Sequence, residues 1–100
     1  MNGAGDAIIG SISTFAGNFA PRDYYDCDGR TLPIQDYPAL FSILGTTYGG
    51  DGIHTFALPD LRPFNEDGQP DTGRHRRVDW SEVKKPRQVI CYQGIYPSRP

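Results

Sequence analysis

His54 and His75 are the chain's only histidines, and they stand far apart. A zinc-type site needs three or four ligands at helix or finger spacing, so this pair predicts no metal site. Cys27 and Cys91 are the only cysteines. With no further ligand near them they allow two readings: a disulfide closing a long loop, or two free thiols packed as small hydrophobes. Asp26 and Asp28 flank Cys27 and disfavour its thiolate, which makes it a poor nucleophile. No Gly-x-Ser-x-Gly elbow is present. Gly49-Gly50-Asp51-Gly52 has the glycine density of a phosphate loop but lacks the Lys and Ser/Thr that follow one. It also lacks the spaced oxygen ligands of a calcium loop. Its glycines predict backbone geometry instead: positive φ and close chain approach. These residues predict no enzyme and no cofactor.

Two sets of residues have the chemistry of binding. Arg74, His75, Arg76 and Arg77 form a basic cluster that could meet acidic glycans or phosphate groups, with Trp80 beside it. The plainer reading is a solvated loop whose cations pair with Asp71, Asp79 or a neighbouring subunit. Tyr24, Tyr25, Tyr92, Tyr96 and Trp80 suit a sugar-stacking platform, an interface, or a core. The isoleucines Ile8, Ile9 and Ile12, with Phe15 and the tyrosines, are the candidate assembly interface. Arg74, Arg76, Arg77 and Trp80 are the candidate glycan or anion contacts.

The whole chain bounds what these groups can do. One hundred residues suffice for one domain, and a net charge of -2 gives no pull toward nucleic acid or an anionic membrane. No apolar run approaches the roughly 20 residues of a membrane-spanning helix. The N-terminal MNGAGDAIIG has no basic region and no sustained apolar stretch, so synthesis in the cytoplasm without a signal peptide is expected. Gly at 12 and Pro at 9 favour many turns and short elements. So short a chain leaves much apolar surface wet, and self-association would cover it.

The elements follow from pattern. Residues 1–7 read as an arm, and residues 8–100 as a single domain. A strand is expected over 8–15, with Ile8 and Ile12 on one face and Gly10 as a bulge or close-approach point. Tyr24 to Cys27 and Arg30 to Leu32 are expected to form a hairpin about Asp28-Gly29. Tyr37, Leu40, Phe41 and Leu44 give one apolar stripe, with Pro38 in the first turn and Gly45 at the end; this predicts a short helix over about 37–44. Strands are expected at 53–58 and 87–96, a charged exposed loop at 62–79, and Trp80 as an anchor. The fold class is α+β, β-rich, with short irregular strands and one short helix.

Three stretches go further: Phe15-Ala16-Gly17-Asn18-Phe19-Ala20-Pro21-Arg22 with Cys27-Asp28-Gly29; Leu32-Pro33-Ile34 with Pro38 through Gly52; and Thr55-Phe56-Ala57-Leu58-Pro59-Asp60-Leu61-Arg62. In this order and spacing they resemble the tail-collar domain of phage short tail fibres and of the bacterial microcystin-dependent-protein group, over roughly residues 8–62. The ending Gln93 to Arg99 is similar to the C-terminus of many small members. The resemblance implies a junction piece of a trimeric fibre whose distal parts bind cell-surface glycans. Two departures stand out. Asp23 and Tyr24 replace the Gly and Trp that often follow Pro-Arg in the family, and Pro63 opens a short charged segment where a Gly-rich run is usual. The His-x-His pair that holds metal in some short tail fibres is absent. The implied function is a structural subunit that self-assembles as a trimer or longer polymer, in a phage or phage-tail-like particle or an extracellular filament. Other tail or surface-appendage proteins would be its neighbours. The alternative is an adhesin that binds cell-surface glycan. Neither reading involves nucleic acid or membrane insertion.

Overall fold

The computed structural model describes residues 7–64, 77–82 and 85–97. It holds five short strands and one helix: β1 Ile12–Phe15, β2 Tyr24–Asp26, β3 Thr31–Pro33, α1 Pro38–Leu44, β4 Thr55–Ala57 and β5 Arg87–Cys91, with a 3-10 turn at Trp80–Glu82. This is a small α+β domain. The strands form a three-stranded sheet in the order β1-β5-β2 and a two-stranded sheet of β3 and β4, antiparallel throughout. Cys27, Leu32, Leu40, Phe56, Leu58, Ile90 and Ile9 form the buried core, with the half-buried Tyr25, Tyr37 and Phe41 packed around it.

The helix forms where its stripe and terminators place it. Pro38 occupies the first turn, where its missing N–H costs nothing, and Gly45 ends the helix at φ 58. Tyr37 is the N-cap without a side-chain cap bond. Seven residues are too few for an isolated helix. Burial of Leu40 and the contact of Phe41 with Phe56, ring centroids 5.5 Å apart, hold it in place.

Three expected strands are shorter in the structure; the one expected over 53–58 is Thr55–Ala57. The first starts at Ile12, because Ser11 N–H turns back to the Ile8 carbonyl at 3.0 Å. Gly10 and Ser11 together face Cys91: Gly10 N–H donates to the Cys91 carbonyl and Cys91 N–H to the Ser11 carbonyl. This is a bulge at the glycine, so Ile8 and Ile12 are not same-face neighbours of one strand. The last strand ends at Cys91, and Ile95 then bridges Ile8 in parallel.

The Asp28-Gly29 hairpin does not form. β2 pairs with β5, whereas β3 pairs with β4. Gly29, at φ 78, is a corner that hands the chain from one sheet to the other. The register Thr31 with Ala57 and Leu32 with Phe56 extends outward to the Asp28–Asp60 bridge and to Ile34 N–H on the His54 carbonyl at 2.9 Å. Segments 27–34 and 54–61 are therefore one continuous antiparallel pairing.

Candidate assembly surface

Three carboxylates are held by arginines of the same domain. Arg87 is 6% exposed and its Nη1 donates to both carboxylate oxygens of Asp26, at 2.8 and 2.7 Å. Asp28 and Asp60, paired across the ladder, each clasp the arginine two residues on. In each pair the carboxylate accepts that arginine's backbone N–H, Nε–H and Nη2–H, at 2.8 to 3.2 Å. The bonds from Arg62, outweighing burial, hold the Asp60 carboxyl below its usual range. At Asp28 burial pushes the other way, and the bonds from Arg30 still leave the carboxyl lowered. Arg62 also reaches Asp79 at 3.1 Å, and Arg77 donates to the Arg62 carbonyl at 2.7 Å. Val78 N–H on the Pro63 carbonyl completes a closed neck to the charged stretch.

The candidate glycan contacts sit in this network or beyond it. Arg77 is tied to Arg62 and lies 4.2 Å over the Phe64 ring. Trp80 is 7% exposed and its indole N–H donates to the Cys27 carbonyl at 3.2 Å, so its ring offers no open face to a sugar. Arg74 and Arg76 lie outside the described residues. A groove of about 560 Å³ runs past Ala16, Gly17, Trp80, Pro86 and Arg87, but the Trp80 indole N–H and Arg87 Nη1 are already engaged.

Cys27 and Cys91 are both free and fully buried, the second of the two readings. Burial, helped by the charges of Asp26 and Asp28, pushes the Cys27 thiol up to about 12. His54 is exposed, with Asp51 Oδ2 at 3.9 Å from Nδ1. Among the described residues no cluster of three or more His, Cys, Asp or Glu could hold a metal ion. None of their helices is long and apolar enough to cross a membrane. Asp51 organises its own loop: Oδ1 accepts the N–H groups of Ile53, His54 and Thr55 at 2.8 to 2.9 Å.

The candidate interface residues divide. Ile9 belongs to the buried core. Tyr25 and Tyr92 stack with centroids 4.4 Å apart, and Tyr25 shares a hydroxyl hydrogen bond with Tyr37; they brace the core. Tyr24 and Phe15 are half-buried. Ile8, Ile12 and Tyr96 are 48%, 44% and 53% exposed, and the structure adds Ile95 at 49%. Sequence reasoning missed Ile95 because it lay inside an expected strand; its pairing with Ile8 brings the two ends of the fold together. Arg87 was missed too, since nothing local marks a strand-end arginine as buried.

Ile8 and Ile95 pair just before β1, and the Tyr96 hydroxyl shares a hydrogen bond with Ser42 of α1. In β1 itself Ile12, Ser13 and Thr14 are all exposed, so both faces of the strand are open. The family model for the phage tail collar domain matches residues 10–63, which covers β1 through the Asp60–Arg62 clasp. The chain belongs to the phage tail collar domain family. No curated protein and no solved structure matches it. Membership gives the collar chain a structural setting in a phage tail fibre. Within the matched span, Leu40, Phe56 and Leu58 supply the core, and the paired Asp-x-Arg clasps close its end.

Proposed function

We propose that this collar chain is a non-catalytic building block that self-associates in a phage or phage-tail-like particle or filament, as a trimer or a longer polymer. One observation carries the reading. Ile12 stands exposed on a strand open on both faces, and the exposed pair Ile8 and Ile95 leads into it, with exposed Tyr96 next in the chain. Large apolar side chains grouped beside an open strand mark an interaction surface. Burying them against another copy supplies apolar contact that so small a domain lacks alone. Other tail components would join the same particle. Cell-surface glycan binding is the weaker reading, because Trp80 and Arg77 are committed inside the domain.

Mass measurement by light scattering in native buffer, from micromolar concentration upward, tests the proposal. Oligomers are expected, and Ile8→Asp with Ile95→Asp should shift them toward monomer. A wild-type chain that stays monomeric throughout the range refutes it.

A further inference from the structure

The exposed large apolar side chains of the described residues fall into separate groups. Ile8, Ile12 and Ile95 form the patch at the start of β1, with Tyr96 next in the chain. Phe64 lies beneath the Arg77 guanidinium, and Leu61 adjoins the Arg62 clasp. Phe19 borders a hollow lined by Asp26, Asp28 and Asp79. Ile53 differs from these. At 75% it is the most exposed large apolar side chain among the described residues, and it stands with exposed Tyr48 in the loop that joins α1 to β4.

That loop is held by its own bonds. Asp51 Oδ1 accepts the N–H groups of Ile53, His54 and Thr55, and Asp51 N–H donates to Thr55 Oγ1 at 3.1 Å. Gly52 N–H donates to the Thr55 carbonyl and Ala57 N–H to the Gly49 carbonyl. Gly50 packs so closely that a Cβ there would collide with the Phe56 backbone. A loop fixed in this way loses little conformational entropy when it docks. It carries an isoleucine that the domain itself leaves uncovered, which is the form of a binding knob.

We propose that Ile53 of one copy docks on the Ile8, Ile12 and Ile95 patch of the next. The inference rests on the reading of self-association and names its contact. A ring of three and an open polymer both repeat a heterologous contact, in which one patch of a copy meets a different patch of its neighbour. Each copy offers both halves of this one. Knob and patch are exposed together in a single copy, so neither covers the other within it. Their charges are compatible as well. No charged side chain lies between Asp6 and Arg22, and Asp51, the loop's only acid, is engaged with its own backbone. An apolar contact there need not bury an unpaired charge. The angle between knob and patch then decides whether the assembly closes after three copies or continues.

Ile53→Asp tests the contact. Ile53 gives the loop its backbone N–H, and its side chain is mostly in solvent, so thermal unfolding should match the wild type. Association should weaken at least about 10-fold. A mixing experiment separates a heterologous contact from a two-fold one. The Ile53→Asp chain keeps its patch, and the chain with Ile8→Asp and Ile95→Asp keeps its loop. Each alone should be largely monomeric. An equimolar mixture should form one-to-one pairs, seen by native mass spectrometry, that grow no further. Ile53→Asp assembling as readily as the wild type, or a mixture that forms no pairs at any concentration, overturns the loop-to-patch contact and leaves self-association standing. A strictly monomeric wild type overturns both.

Discussion

Replacing Asp26 by alanine leaves the Arg87 guanidinium buried with no other ion-pair partner among the described residues. Both Asp26 oxygens accept from Arg87 Nη1, and only 7% of the arginine side chain and 18% of the aspartate side chain reach solvent. Breaking a buried pair from one side costs about 3–5 kcal/mol, because the remaining charge keeps its desolvation penalty. The partial exposure of Asp26 argues for the lower end, about 3 kcal/mol. In a domain of this size each kcal/mol lowers Tm by about 4–8 °C, so Asp26→Ala should melt about 12–24 °C lower. The double variant Asp26→Leu with Arg87→Met removes both charges and should recover most of the loss, as apolar replacements of buried pairs generally do. Urea and thermal unfolding of wild type, both single variants and the double variant close the cycle. If Asp26→Ala costs under about 1 kcal/mol, the value of a solvent-exposed pair, the argument that Arg87 depends on Asp26 fails.

Three further outcomes are expected. Gly50→Ala should cost about 3 kcal/mol or more, since its Cβ would meet the Phe56 backbone and lie 2.6 Å from the Thr55 carbonyl at a φ of 96. Gly45→Ala, with nothing within 4 Å, should cost less, only the about 1–3 kcal/mol of backbone strain at φ 58 and ψ -145, and equal losses in urea unfolding would refute the distinction. The lowered Asp60 and Asp28 carboxyls contribute stability that is complete above the unfolded range near pH 4 and is lost as pH falls through their lower folded values. Asp60→Asn should thus flatten the acid limb of stability against pH, and an unchanged limb in unfolding curves from pH 7 to 2 counts against the clasp. Native protein at pH 8 should react with a thiol reagent far more slowly than denatured protein, because Cys27 and Cys91 are buried and the Cys27 thiol is pushed up to about 12; fast native reaction would contradict that burial.

Local chemistry was legible and long-range choice was not. The helix Pro38–Leu44 announces itself through its proline, its stripe and Gly45, all within one short window. The family likewise shows in contiguous strings, and the model match covers them. Asp28-Gly29 signals a turn of the chain, and the chain does turn there, but a turn signal does not say which strand lies alongside. Tyr24–Asp26 pairs with a segment more than sixty residues later, a choice made by burial of Val89, Ile90 and Cys91. The same holds for Arg87, whose partner is named only by the sheet. Ile9 against Ile8 shows the finest limit: adjacent residues of one type, one in the core and one in solvent, separated by the direction of a turn at Gly10.

The central strand of the larger sheet is the last to be made. While the ribosome is still adding residues, segments 27–34 and 54–61 can already zip together around the helix, but β1 and β2 must wait for residues 87–91 to slide between them. A nascent or prematurely terminated chain therefore carries two unsealed strands, and the exposed isoleucines of its N-terminal segment are at their most adhesive before the keystone arrives. Orderly particle building would then depend on how quickly synthesis reaches the end of β5.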